Sequence, residues 1–271
     1  MDQTTSAQFY QHNGYLPNIP ILTGPEIVDL LANLRAFINE YGNDDRFGEW
    51  CYFKSHLILP WVVNLARHPK IIEAASAILG PDLLLWNSFV PCKPPQSDGL
   101  FDWHQDATYW QIVPSDKVIT LWLAAGDVTT NNGGMRIIQG SHLQGQLSHE
   151  MTFDPKSMLR RGQRITDPFY DDAAICGDLR AGEASIHHPL TIHGSGPNTS
   201  DTWRYAVSFN IVSADVKPHP DFPESALFLS GENRNQHFDK ETPPDGILSK
   251  AALAEYQRTK CIAAARYSDA M

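Results

Sequence analysis

The sequence predicts a mainly β fold with flanking α-helices, built as an antiparallel barrel or jelly roll. Two observations carry that expectation. Apolar residues recur at helical spacing early in the chain and again at its end, and a run of segments with strand period, punctuated by Gly, Asn and Pro turns, fills the middle. A length of 271 residues fits one large domain and suffices to bury a sizeable core. We expect a single domain over 1–271, with a helical part to about 82, a jelly-roll core over about 83–215 and a C-terminal loop and helix over about 216–271.

In chain order, Thr23-Gly-Pro-Glu26 reads as a capping box with proline in the first turn. Ile27, Leu30, Leu31, Leu34 and Ile38 follow at helical spacing and predict an amphipathic helix to about Tyr41. A second helix is predicted over 69–79, stopped by Gly80-Pro81. The period then changes, and 83–90, 117–128, 135–139, 183–188 and 203–213 read as strands. Asn131-Asn132-Gly133-Gly134 predicts a hairpin turn between two of them. The stretch 218–246, rich in Pro, Asp and Asn, is expected to be a long ordered loop, and 248–266 a closing helix.

Composition narrows the function classes. Hydrophobic content of 42% and charged content of 19% are those of a soluble globular protein. A net charge of -10 argues against a nucleic-acid or anionic-membrane partner, since both reward basic surfaces. Cys51, Cys92, Cys176 and Cys261 have no CxxC spacing, so reduced thiols in the cytoplasm are expected rather than disulfides or a zinc knuckle. The N-terminal MDQTTSAQFY has neither a basic n-region nor an apolar h-region. No apolar run reaches the roughly 18 residues of a membrane helix. Oligomeric state is not legible.

Phe101-Asp-Trp-His104-Gln-Asp106 is the first piece of chemistry. Residues two apart on an extended segment point to the same side, so His104 and Asp106 can share one ion. A second histidine completes a two-histidine, one-carboxylate face with positions left open for substrate and oxygen. Taken alone, His-x-Asp is a weak signal, and a surface turn with a hydrogen-bonded histidine is the commoner source of it. Ser185-Ile-His187-His188-Pro-Leu-Thr-Ile-His193-Gly-Ser195-Gly-Pro-Asn198 offers three candidate histidines. Because 194–201 is rich in turn residues, the segments around His193 and Arg204 are expected to form neighbouring antiparallel strands, with Arg204, Ala206 and Ser208 on one face. A buried arginine needs an anion, and a carboxylate matches its fork. That anion is either a protein Asp or Glu or a bound diacid.

WHQDATYW, NGGMRIIQGSH and HHPLTIHGSGPN, with an arginine eleven residues after His193, together resemble the phytanoyl-CoA dioxygenase family. The likeness extends to the N-terminal FYQHNGYL and runs to about Ser213; no motif matches the tail beyond. The resemblance implies a double-stranded β-helix (jelly roll, cupin-like) and an enzyme using iron(II), 2-oxoglutarate and dioxygen. It implies His104, Asp106 and His193 as iron ligands and Arg204 as the grip on the distal carboxylate of 2-oxoglutarate. Ser195, Phe101 and Trp110 sit where related hydroxylases line the cosubstrate pocket, and Asn87 and Thr120 are further candidates, with ordinary strand residues as the competing reading. Related halogenases lack the carboxylate ligand, so Asp106 favours hydroxylation, or else desaturation or demethylation.

The other candidates have lesser readings. His187 and His188 are expected to support the site or pack beside it, and His142 to be a loop residue. Trp103, Tyr109 and Trp122 read as packing residues, and Met135 as core or the substrate end. Lys93 is either solvated or projects toward the pocket mouth. Arg160, Arg161 and Arg164 form the obvious basic cluster, a solvated loop or a lid in which Arg161 or Gln163 meets an anionic group on a small substrate. The acidic chain favours a small polar metabolite or natural-product intermediate over an acyl-CoA. Rival classes are a zinc hydrolase, in which Arg204 has no role, and a non-catalytic jelly-roll binding protein.

Overall fold

A computed structural model describes residues 3–110, 112–159, 163–169 and 171–268. The chain opens with α1 (Gln3–Asn13), β1 (Tyr15–Pro20), α2 (Gly24–Tyr41), α3 (Phe47–Tyr52), α4 (Pro60–Ala66) and α5 (Pro69–Leu79). The strands β2 (Leu83–Phe89), β3 (Phe101–His104), β4 (Ile112–Val113), β5 (Val118–Ala124), β6 (Met135–Ile137), β7 (His149–Met151) and β8 (Gln163–Ile165) follow. Next come β9 (Ile175–Cys176), β10 (Glu183–His187), β11 (His193–Ser195), β12 (Ala206–Ser213), β13 (Lys217–Pro218), β14 (Ser225–Ser230) and β15 (Asp239–Lys240). The helix α6 (Lys250–Ser268) closes the chain. The architecture is mainly β with flanking helices, as expected.

Local chemistry fixes the predicted helices. The Thr23 amide and hydroxyl donate to the Glu26 carboxylate at 2.8 and 2.6 Å, satisfying α2's N-terminus as the capping motif requires. Gly80, at φ +87, ends α5 where an L-residue would be strained. The elements the sequence concealed lacked such signals. β1 contains Pro17 and Pro20, and it survives as a strand because it lies at a sheet edge.

Two compact units divide the chain. The first comprises Met1–Asn39, Pro91–Tyr109 and Trp122–Val207. Within it, β1 pairs antiparallel with β10, Tyr15 standing opposite His187. A four-stranded sheet has the order β3-β11-β6-β9, and the β7–β8 hairpin lies against β3. Ile138, Ile165 and Ile192 form one apolar cluster with Trp103 and Phe169 against it; Trp122, Val128, Leu179 and Ala206 form another.

The second unit comprises Glu40–Val90, Trp110–Leu121 and Ser208–Met271. In it, residues 208–213 of β12 pair antiparallel with β2, β2 pairs antiparallel with β14, and β14 pairs parallel with β15. Leu84, Trp86, Ile112, Val118, Val212 and Phe238 share its core. A fully buried polar group also lies here: Lys54 Nζ donates to Glu241 Oε1 at 2.7 Å, and His56 Nε2 meets Glu241 Oε2 at 2.7 Å.

Three local expectations need correction. The stretch 218–246 is not all loop, because Ser225–Ser230 forms β14, antiparallel to β2 with Ala226 and Leu227 buried. Short and flanked by turn formers, that strand is masked by its neighbours' composition. Asn131-Asn132-Gly133-Gly134 does not close a hairpin, since it carries the chain from β5 in one sheet to β6 in the other. It is a capped 3-10 turn in which Asn132 Oδ1 accepts from the Thr129 amide at 2.9 Å. Finally, β11 does not pair with β12. β11 lies between β3 and β6, and Arg204 instead bridges to Lys93.

Candidate metal centre

β3 and β11 run antiparallel with His104 directly opposite His193, which puts both rings on one face with centroids 4.2 Å apart. His104 Nδ1 lies 2.7 Å from the Asp102 carbonyl and His193 Nδ1 lies 2.9 Å from the Thr191 carbonyl. A carbonyl only accepts, so both Nδ1 atoms donate to the backbone and both Nε2 atoms are the ones turned toward Asp106. Asp106 reaches the same place by a different route from strand alternation. It opens a 3-10 turn, Asp106–Tyr109, after β3 has ended. Gln105, fully buried, donates to the Gly145 and Leu190 carbonyls and accepts from the Leu147 amide, pinning the segment between the two candidate ligands.

Asp106 Oδ1 stands 3.5 Å from His104 Nε2 and 3.6 Å from His193 Nε2. The ligand atoms of the three residues all lie within 4.8 Å of one another. Burial, with the neighbouring His104 and His187, holds His193 well below the usual imidazole range, so it is neutral. Burial alone would raise the Asp106 carboxyl, but His193, His104 and His187 around it hold it well below the usual carboxylate range. The two imidazoles and the carboxylate thus turn their donor atoms toward one point. A divalent cation resolves that arrangement, and two imidazoles with one carboxylate are the donor set suited to non-haem iron. His187 Nε2 meets the other oxygen, Oδ2, at 3.2 Å.

A pair of basic side chains lies on the Ser195 side of β11. Lys93 and Arg204 face each other across an antiparallel bridge, exchanging backbone hydrogen bonds at 2.9 and 3.0 Å. The Arg204 guanidinium donates to the Gly133 carbonyl and, at 2.6 Å, to the Pro91 carbonyl, and lies 5.5 Å from the Trp122 ring. Lys93 is not solvated: its exposure is 0%, and its Nζ donates to Ser195 Oγ at 2.8 Å and the Gly196 carbonyl at 2.5 Å. Among the described residues Lys93 makes no ion pair. Burial and the Arg204 charge push its pKa down to about 6. Phe101 lies 5.3 Å from Nζ. Gly133, at φ +78, lets the backbone pass close by; a Cβ there would come within 2.9 Å of both Lys93 Cδ and the Gly196 oxygen.

The remaining sequence candidates are placed as follows. Met135 pairs with Ser195 across β6 and β11 and packs on the Trp122 cluster. Gln163 lies half-buried on β8, opposite Met151. Arg160 and Arg161 lie outside the described residues, as does the Tyr109 side chain, and Arg164 is ion-paired to Glu150 at 2.6 Å. Trp110, Asn87 and Thr120 belong to the second unit. There Trp110 stands edge-on to Trp86, Asn87 Oδ1 accepts from the Lys54 and Ser88 amides, and Thr120 Oγ1 accepts from Asn210. His188 accepts from the Leu190 amide and packs against His142, whose Nε2 bonds to the Gln11 carbonyl. Trp103 packs on Phe169, and Trp122 stands in its cluster, as packing residues do. All four cysteines are free. Sequence reasoning missed the burial of Lys93, and it expected His187 to support the site or pack beside it without naming Asp106 as its partner; both depend on which strands meet.

A family model described as phytanoyl-CoA dioxygenase matches residues 10–206. The peroxisomal phytanoyl-CoA dioxygenase of Homo sapiens is 28% identical over 150 residues, 54% of this chain and 44% of that protein. A probable alpha-ketoglutarate-dependent hypophosphite dioxygenase of Stutzerimonas stutzeri is 29% identical over 178 residues, 60% of this chain and 57% of that protein. This chain therefore spans about half the length of these curated relatives. The solved structure of ThoJ, a non-heme monooxygenase in its apo form, superposes with a TM-score of 0.86 at 29% identity, covering 97% of each chain. The fold shared with such oxygenases is the cupin-like jelly roll.

Proposed function

Because this chain belongs to the phytanoyl-CoA dioxygenase family, we propose that it is an iron(II)- and 2-oxoglutarate-dependent dioxygenase. We assign it the hydroxylation of a small polar metabolite or natural-product intermediate. The observation that carries this reading is the meeting of His104 Nε2, His193 Nε2 and Asp106 Oδ1 at one point. Those residues hold the iron. When bound, iron with 2-oxoglutarate and dioxygen supplies the oxidising power, leaving succinate and carbon dioxide.

The chain's own residues bind and orient. The Nδ1–H bonds to the Asp102 and Thr191 carbonyls fix each ring so that Nε2 faces the ion. Arg204, Lys93 and Ser195 receive the far carboxylate of 2-oxoglutarate: two basic groups on one bridge, one of them held largely uncharged by burial and by the other, form a pocket in which an anion favours the charged form of both. Lys93 is thereby reassigned from the substrate side to the cosubstrate side. Phe101 bounds that end. Fixing both ends of the cosubstrate before oxygen arrives is the positioning contribution.

For the substrate, the net charge of -10 supports a small polar molecule over a polyphosphorylated acyl-CoA. An acyl-CoA is the second reading, favoured by the name of the human relative. Among the described residues no helix is long and apolar enough to cross a membrane. Four free cysteines support the cytoplasm as the working compartment. The test is a succinate-release screen with iron(II), comparing acyl-CoAs with small amino acids, phosphonates and related metabolites. Turnover confined to acyl-CoAs overturns the substrate assignment, and turnover without oxygen or 2-oxoglutarate overturns the reaction class in favour of a hydrolase.

A further inference from the structure

The two adjacent histidines at the end of β10 have different partners. His188 faces His142 and Tyr10, whereas His187 faces the metal centre and is 1% exposed. The His187 ring lies 4.4 Å from that of His193, centroid to centroid, yet its nitrogens are outside the convergent set formed by His104, Asp106 and His193. Its contact is with Asp106 from the opposite side: Nε2 lies 3.2 Å from Oδ2, while Oδ1 is the oxygen facing His104 and His193.

The partner fixes the direction of the bond: a carboxylate only accepts, so His187 Nε2 donates to Oδ2 of Asp106. Nδ1 is buried and has no hydrogen-bond partner among the described residues. Burying an imidazole with one nitrogen unsatisfied costs free energy, and among the described residues its side-chain hydrogen bond goes to Asp106. The position on β10, opposite Tyr15 in the β1 pairing, is fixed by strand register rather than by that bond. An apolar ring would fill the same space at lower cost.

We propose that His187 is a positioning residue: it holds Oδ2 of Asp106 so that the carboxylate offers the metal one oxygen, Oδ1, and leaves the remaining positions open for 2-oxoglutarate and dioxygen. The inference rests on the iron-site reading above. Without the Nε2–H bond, Oδ2 is free to swing toward the ion and occupy a position the cosubstrate needs. Outer hydrogen bonds of this kind typically change metal affinity or activity 10–100-fold.

The test uses the full chain loaded with cobalt(II), whose visible absorption reports coordination number. His187→Phe removes the donor and keeps a ring; His187→Gln restores an N–H near the Nε2 position. We expect the Phe variant to lose roughly 10-fold or more in 2-oxoglutarate affinity, with an altered cobalt spectrum. The Gln variant should recover both to within a few-fold, and the melting temperatures of the two should be similar. If the Phe variant does not fold, His187→Asn, whose shorter amide falls short of Oδ2, takes its place with the same expectation. Wild-type spectra and affinity in the donorless variant, or equal impairment of both variants, would overturn the proposal and leave His187 a packing residue. Wild-type protein that binds no cobalt would overturn the iron-site reading itself, and this inference with it.

Discussion

Lys93 gives the sharpest quantitative expectation. Buried beside Arg204, its ammonium has a pKa of about 6, against an ordinary lysine value near 10.5. At pH 8 roughly one molecule in a hundred carries the charge, and protonating the rest costs about 3 kcal/mol, at ~1.4 kcal/mol per unit of pKa. A dicarboxylate seated between Lys93 and Arg204 raises that pKa, so binding takes up a proton at any pH between the free and bound values. The sign follows: affinity for 2-oxoglutarate falls as pH rises above about 6, by up to tenfold per unit, while the proton remains to be supplied. Calorimetric titration of 2-oxoglutarate into manganese-loaded protein, in buffers of different ionisation enthalpy, measures the uptake. We expect close to one proton at pH 8, little below pH 6, and none at either pH in Lys93→Met. Zero uptake by the wild type at pH 8, with an affinity flat from pH 6 to 8.5, would refute the reasoning and move Lys93 out of the cosubstrate pocket.

Other expectations follow from the same contacts. Arg204→Ala removes a charge pair from a buried site and should weaken 2-oxoglutarate binding by roughly 2–5 kcal/mol, read as a raised Michaelis constant with manganese affinity nearly unchanged. Gly133→Ala forces a side chain onto a backbone at φ +78 and against Lys93; it should destabilise the fold by ~1–3 kcal/mol and raise the 2-oxoglutarate Michaelis constant, both measurable on one preparation. In the second unit, Glu241 is held at about 2, burial being outweighed by Lys54 and His56. A depressed carboxyl contributes stability above its unfolded value of about 4.5 and loses it as pH falls toward 2, here about 3 kcal/mol. Glu241→Gln should cost roughly 3–5 kcal/mol at neutral pH by stranding the Lys54 ammonium, and should flatten the acid dependence of chemical denaturation between pH 5 and 3.

The sequence made the candidate ligands legible through spacing, although the physical route differs in one place. His104 and Asp106 share a side because Gln105 is anchored inward and a 3-10 turn starts at Asp106, rather than because a strand alternates through all three. The helices at 24–41 and 69–79 were legible because their caps are local. Lys93 was not, since lysine is most often solvated and only the bridge to Arg204, set by distant strand pairing, buries it. The same non-local pairing hid the true neighbours of β11 and the bond from His187 to Asp106. β14 escaped notice because a short strand among Pro, Asp and Asn residues has no periodicity long enough to count.

The central claim is that His104, Asp106 and His193 hold an iron to which 2-oxoglutarate chelates. Anaerobic addition of iron(II) and then 2-oxoglutarate tests it most directly, because chelation by the keto acid produces a visible charge-transfer band that needs no substrate. The wild type should show that band at one equivalent of each, and His193→Ala should not. A wild-type protein that gives no band under saturating iron and 2-oxoglutarate, or a band of full intensity in His193→Ala, would contradict the claim.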